Sequence, residues 1–299
     1  MATLYTQAES NIRKTYFYLL GFVLIIFGIG WTLSYVYNEV WLLYFALIFS
    51  VVTSFYSYWN SDKIVIALTK AKPAKKEEHL ELYRITENLA ISNGIPMPRI
   101  YILDDPQPNA FATGRNPANG VIAVTTGLLE MLDRVELEAV VAHELGHIGN
   151  NDILITSVVV VLVGTIVFIA GFFFRMTFYG GMRGGRGRGN ALVLVGALVF
   201  IVLSPILAQL MKLAISRKRE YLADSTAVLT TRYPEGLIRA LEKISGDQNQ
   251  LKVANDATAH LFLVSPFRGK EQKSWFRKLF MTHPPIEERI KKLREIDIQ

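Results

Sequence analysis

The sequence of 299 residues contains no cysteine. That absence excludes disulfides, thiolate metal sites and cysteine nucleophiles, so any metal must be held by nitrogen and oxygen donors. Acidic residues are missing from four long apolar runs, Tyr16–Tyr37, Trp41–Trp59, Ile153–Phe174 and Ala191–Met211. A membrane transport pathway usually carries ionisable groups at such depth, so their absence argues against transport. The glycine-rich stretch GGMRGGRGRGN, Gly180–Asn190, lacks the lysine and following serine or threonine of a phosphate loop, which removes nucleotide binding. The formal charge of +6 sits mostly beside the apolar runs. That pattern suits an anionic lipid leaflet better than a nucleic acid.

What the chain has in abundance is apolar surface: 51% of its residues are hydrophobic and mean hydropathy is +0.27. A helix needs about 20 apolar residues to cross a bilayer, and all four runs approach or exceed that length. The first is too long for a signal-peptide core and is followed at once by a second, so it is expected to be retained as a span. Arg13 and Lys14 precede it, and Lys63, Lys70, Lys72, Lys75 and Lys76 follow the second run. By the positive-inside bias both flanks face the cytoplasm. The third and fourth runs are expected to form a second full hairpin, with Pro205 kinking the fourth run and the basic loop Arg175–Asn190 outside. The chain then divides into an N-terminal hairpin (1–60), a first catalytic part (61–152), a second hairpin (153–215) and a second catalytic part (216–299).

Between the hairpins, Glu77–Asn93 reads as a helix with Leu80, Tyr83, Ile85 and Leu89 on its apolar side and Gly94 as its terminator. RIYIL (Arg99–Leu103) and VIAVTT (Val121–Thr126) read as strands, with NAFATG (Asn109–Gly114) between them. Asp133 followed by Glu136 has the spacing of a capping box, starting a helix that runs through His147. Later helices are expected over Pro234–Ser245 and after Pro285, with a loop over Gln248–Lys273 that contains the apolar island HLFLVSPF, His260–Phe267.

The chemistry concentrates in AVVAHELGH, Ala139–His147. Residues four apart on a helix share a face, so His143 and His147 can grip one metal ion. Glu144 points too far round the helix to be a third ligand but can reach a water held at that face, which suits a general base. A random chain of this composition would contain HExxH in roughly one case in 200. The bland alternative is a helix bearing two solvated histidines. Catalytic zinc usually takes three protein ligands. The extended pattern with a third histidine fails here, since its glycine position is Asn150 and its histidine position Ile153. In SRKREYLAD, Ser216–Asp224, Glu220 and Asp224 again share a helix face. One could be the ligand and the other a partner that orients a histidine.

NAFATG, AVVAHELGHIGNNDIL, SRKREYLAD and THPPIEERI, in this order around two apolar hairpins, resemble the HtpX-type membrane zinc metalloproteases, relatives of the CAAX prenyl proteases. The resemblance covers essentially the whole chain. It implies an α+β, mainly helical fold: a membrane-embedded zincin, gluzincin-like, with a small β-sheet and two transmembrane helical hairpins. It further implies one Zn2+ per chain held by His143, His147 and Glu220, with Glu144 as base, Asp224 as support, and His283 beside the oxyanion. Asn109, Ala110, Phe111 and Ala112 would form an edge strand that pairs with extended substrate, although the residues alone equally allow an interior strand. The implied activity is endopeptidase cleavage of polypeptides, among them damaged or misfolded membrane proteins, at the cytoplasmic face of a prokaryotic plasma (inner) membrane. Two rivals stand beside it. An intramembrane site-two-type protease also carries HExGH but needs an aspartate ligand inside an apolar run, and none is present. A non-catalytic membrane scaffold with a structural metal is the other.

Overall fold

A computed structural model of the chain describes residues 4–180, 216–247, 249, 251, 258, 261–264 and 284–296. The fourth apolar run, residues 181–190 of the connection and His283 lie outside the described residues, whereas Arg175–Gly180, expected in the external loop, are helical because the third apolar helix runs on to Gly180.

Helices α1 (Leu4–Tyr37) and α2 (Trp41–Thr69) form an antiparallel hairpin joined by three residues. Asn38 turns the chain with φ of 54°, a left-handed conformation that asparagine tolerates. Both helices are long and apolar enough to cross a bilayer. Their outer faces expose Phe17, Leu24, Trp31, Trp41, Phe45, Ile48 and Phe55, the pattern of a surface solvated by lipid. Gly30 allows the two backbones to close, because a Cβ there would sit 2.3 Å from that of Ala46. Helix α2 breaks at Asn60, and the adjacent Trp59 ring is covered by the Arg115 guanidinium at 4.2 Å. The chain then leaves the apolar layer.

Four strands follow: β1 (Lys72–Pro73), β2 (Arg99–Leu103), β3 (Ala110–Thr113) and β4 (Val121–Thr125). They lie in the order β1-β2-β4-β3, with β2 and β4 parallel and the outer pairs antiparallel. The three longer strands fall on the expected runs, and β3 is the terminal strand of the sheet. Helix α3 (Leu80–Ser92) ends before Gly94, whose φ is positive as a C-terminal glycine requires. Its inward face is Leu82, Ile85, Thr86, Leu89 and Ala90, whereas Leu80 is exposed at the first turn. The expected face was therefore partly wrong at its start, because the helix begins at Leu80 rather than Glu77 and that first turn lies off the core.

After α4 (Thr126–Met131), helix α5 (Arg134–Gly149) starts with both halves of the capping box made: Glu136 N–H donates to Asp133 at 3.0 Å and Asp133 N–H to Glu136 at 2.9 Å. Helix α5 is the axis of the main core, with Leu137, Val140, Val141, Leu145 and Ile148 all buried. Asn150 and Asn151 break it, the latter at φ of 53°, and α6 (Asp152–Gly180) departs at 81°. The first half of α6 packs against α1 through Leu154, Ile155, Val158, Leu162 and Ile166. Helices α7 (Arg217–Thr231) and α8 (Pro234–Gly246) close over α5, and α9 (Ile286–Arg294) packs on both of them. Gly146 permits the α5–α7 approach, since a Cβ there would lie 3.3 Å from the Ala223 backbone. That contact places the SRKREYLAD helix directly over HELGH.

Candidate metal centre

One helical turn of α5 presents both imidazoles on the face met by α7. His143 and His147 stand with rings perpendicular and their Nε2 atoms 3.2 Å apart. Glu220 enters from α7, one carboxylate oxygen 3.9 Å from Nε2 of His143 and the other 3.7 Å from Nε2 of His147. All three donors lie within 4.8 Å of one another. Tetrahedral zinc with bonds of about 2.0–2.1 Å separates its ligand atoms by about 3.3 Å, so a nitrogen, nitrogen, oxygen triangle of this size fits that ion with small side-chain adjustments.

The far nitrogen of each imidazole is held by its own carboxylate. Nδ1 of His143 lies 2.9 Å from Asp224, and Nδ1 of His147 lies 3.0 Å from Asp152. A carboxylate can only accept, so each ring donates its Nδ1–H to its own carboxylate, and Nε2 is the nitrogen left to face a metal once any proton on it is released. The sequence-expected partner, Asp224, is thus in place for one histidine. Asp152, five residues beyond His147, was not anticipated.

Nor was Arg289. It is fully buried on α9 and grips Asp224 with two nitrogens, at 2.6 and 3.0 Å. It also lies 3.8 Å from Glu220 and donates to the Leu263 carbonyl at 3.5 Å. Burial alone would raise the Asp224 pKa, but the Arg289 charge and the His143 hydrogen bond outweigh it and hold the carboxyl down at about 2. Burial likewise pulls His147 down, yet the bond to Asp152 and the charges of Glu220, Asp152 and Glu144 raise it to about 9. A signal for Arg289 was available: Ile286, Arg289, Ile290 and Leu293 share the spacing of a core-facing stripe, with arginine where an apolar residue belongs.

Glu144 is buried beside His143 on α5. Asn109, just before β3, and Ala110, Phe111 and Ala112 on it are also buried, and the outward edge already carries hydrogen bonds. Leu263 N–H donates to the Ala110 carbonyl at 2.9 Å, while the Asn109 side chain donates to the Val264 carbonyl at 2.9 Å and accepts its N–H at 3.2 Å. Leu261–Val264, expected in a loop, is indeed irregular but buried against this strand.

The profile of peptidase family M48 matches residues 76–297. A protein named Protease HtpX homolog from Thermoanaerobacter pseudethanolicus is 42% identical over 301 residues, covering 98% of each chain. Proteins of the same name from Thermococcus sibiricus and from Listeria monocytogenes serotype 4a are 47% identical over 91% of this chain and 39% identical over 98% of it, and cover 91% and 100% of their own lengths. The crystal structure of S. mikatae Ste24p is similar over 98% of this chain and 67% of its own, with a TM-score of 0.49 and 20% identity. A family match across three quarters of the sequence, with relatives this similar end to end, means that the chain belongs to peptidase family M48 and is a membrane metalloendopeptidase.

Proposed function

We propose that the chain is an integral membrane endopeptidase that uses one Zn2+, held by His143, His147 and Glu220, to cleave polypeptides at the cytoplasmic face of a prokaryotic plasma membrane. The observation that carries this reading is the convergence of three donors, two of them imidazoles whose opposite nitrogens are fixed by buried carboxylates. When bound, zinc would supply Lewis acidity, making water a better nucleophile near neutral pH and polarising the scissile carbonyl. The rest falls to side chains. Glu144 accepts the proton of the attacking water and delivers it to the nitrogen of the leaving amine. His283 donates a hydrogen bond to the oxyanion. Asp224, braced by Arg289, and Asp152 keep the two imidazoles in the tautomer that leaves Nε2 free for metal.

Substrate backbone pairs along β3, the terminal strand of the sheet. The bond from the Leu263 N–H to the Ala110 carbonyl supports this, because it is the kind of main-chain pairing that an extended peptide would use. A substrate using Ala110 takes that bond from Leu263. The catalytic parts 61–152 and 216–299 are separated by the second hairpin, 153–215, and their ligands still meet, which supports a site close to the membrane surface. That position suits damaged or misfolded membrane proteins as substrates. The test is Glu144→Gln in detergent-purified protein. Zinc content should stay near one per chain, while casein cleavage falls by about 10²–10⁴, the range usual for loss of a general base. Near-normal cleavage by the variant overturns the mechanism.

A further inference from the structure

We infer that Asn11, on the first membrane helix, is a positioning residue of the metal centre that acts through Asp152 on His147. This rests on the ligand reading above and extends it to the N-terminal hairpin. Helix α1 has 34 residues and is therefore about 51 Å long, well beyond the roughly 30 Å of hydrocarbon it has to cross. Asn11 precedes the apolar run that starts at Tyr16 and meets the bend between α5 and α6. There it is buried, and its amide nitrogen donates both to Asp152 at 2.7 Å and to the Asn150 carbonyl at 3.2 Å. Its carbonyl oxygen accepts from Arg219 at 3.4 Å.

The two oxygens of Asp152 thus have different duties. One lies 3.0 Å from His147 and the other is taken by Asn11, with the Arg219 guanidinium 3.6 Å away. A carboxylate can swing about its own bond. Fixing one oxygen fixes the direction of the other, and with it the plane of the His147 ring. Asn11 suits this better than a cation would. Its amide supplies two donors at a set angle and adds no charge to a buried site. Arg219 sits on α7 one residue before Glu220, so the same cluster ties the helix of the third ligand to the helix of the second. The amide of Asn11 lies at the junction of α1, α6 and α7, which a residue serving only to pack the hairpin would not need.

A double-mutant cycle tests the relay. Zinc affinity is measured by chelator competition in detergent for wild type, Asn11→Ala, Asp152→Ala and the double variant, with the Co2+ absorption spectrum as a second readout. Losing Asp152 should weaken zinc by about 10–100-fold. Asn11→Ala should weaken it by about tenfold and shift the Co2+ bands, yet change affinity by less than about twofold once Asp152 is gone, because the two act in series. A purely structural Asn11 would give the same factor in both backgrounds, and that result, or an unchanged affinity, overturns the inference. If Asn11→Ala does not purify as a monodisperse species, Asn11→Leu decides the question, since it keeps the side-chain size, removes the donor and adds no charge. His147→Ala serves as control. Should that variant keep its zinc, the ligand assignment itself fails and the relay falls with it, whereas zinc loss there with additive Asn11 effects refutes the relay alone.

Discussion

Replacing Arg289 by methionine should damage the protein more than any exposed charge change, and the amount can be worked from its surroundings. Arg289 has no solvent exposure, and the side chains of Asp224 and Glu220 beside it are only 4% and 8% exposed. Methionine fills most of the space but leaves Asp224 without its two-nitrogen partner. Removing one member of a buried ion pair typically costs about 3–5 kcal/mol. A second route gives a smaller figure. Holding Asp224 at about 2 rather than 3.8 corresponds to about 2 kcal/mol of preference for the charged folded form, at about 1.4 kcal/mol per pH unit, and part of that belongs to His143. For a chain of this size 1 kcal/mol moves Tm by about 2–4 °C, so a drop of about 4–20 °C is expected. The assay is thermal unfolding followed by near-UV circular dichroism on chelator-stripped protein in detergent, so that lost zinc does not enter. Because the folded pKa is depressed, the wild-type contribution is full above about pH 4 and disappears as pH falls toward 2; the variant should lack that acid-sensitive component. Adding Asp224→Asn should recover part of the loss by neutralising the orphaned charge. A single variant within about 2 °C of wild type, or a double variant no better than the single, refutes the reasoning.

Glu220→Ala should lose zinc on dialysis against a mild chelator that wild type withstands, as metal analysis would show; retention of zinc there together with loss in Asp224→Ala would mean that the other carboxylate is the ligand. Zinc must displace the proton that keeps His147 charged up to about pH 9, so apparent affinity should rise with pH by up to about tenfold per unit below 9 and level off above it. A competition titration flat between pH 7 and 9 contradicts this. His283→Phe should retain zinc and lower kcat more than it raises KM, and an unchanged kcat removes His283 from the chemistry.

The elements that were legible in the sequence are those specified by local rules. The capping box of α5 needs only Asp133 and Glu136, and the β-branched runs of β2 and β4 need only their neighbours. HExxH was readable because helical spacing alone puts two imidazoles on one face. What stayed hidden depends on contacts between distant segments. Arg289 lies 65 positions from Asp224, and Asn11 lies 141 from Asp152, so the helical stripe could mark Arg289 as buried but nothing local names either partner. Strand β1 has two residues and no alternation to recognise; its pairing with β2 is set by the exit of α2. Leu261–Val264 reads as a loop because its backbone is irregular, yet the Asn109 amide supplies the bonds that a strand partner would otherwise provide.

The bend between α5 and α6 has a mechanical consequence for a protein whose bilayer can thin or thicken. Apolar helices answer hydrophobic mismatch mainly by tilting. Helix α6 has 29 residues and is about 43 Å long, so a tilt of about 10° carries its far end through about 7 Å. Asp152 is its first residue, at the fulcrum, where the same tilt produces a displacement of only a few tenths of an ångström. Asn151, already in a left-handed conformation outside either helix, is the joint that can absorb the rotation. The carboxylate that aims His147 therefore sits at the one point of the lever that scarcely moves. Where α6 crosses the bilayer, changes in lipid thickness would swing its far end while leaving the geometry of the metal centre almost untouched.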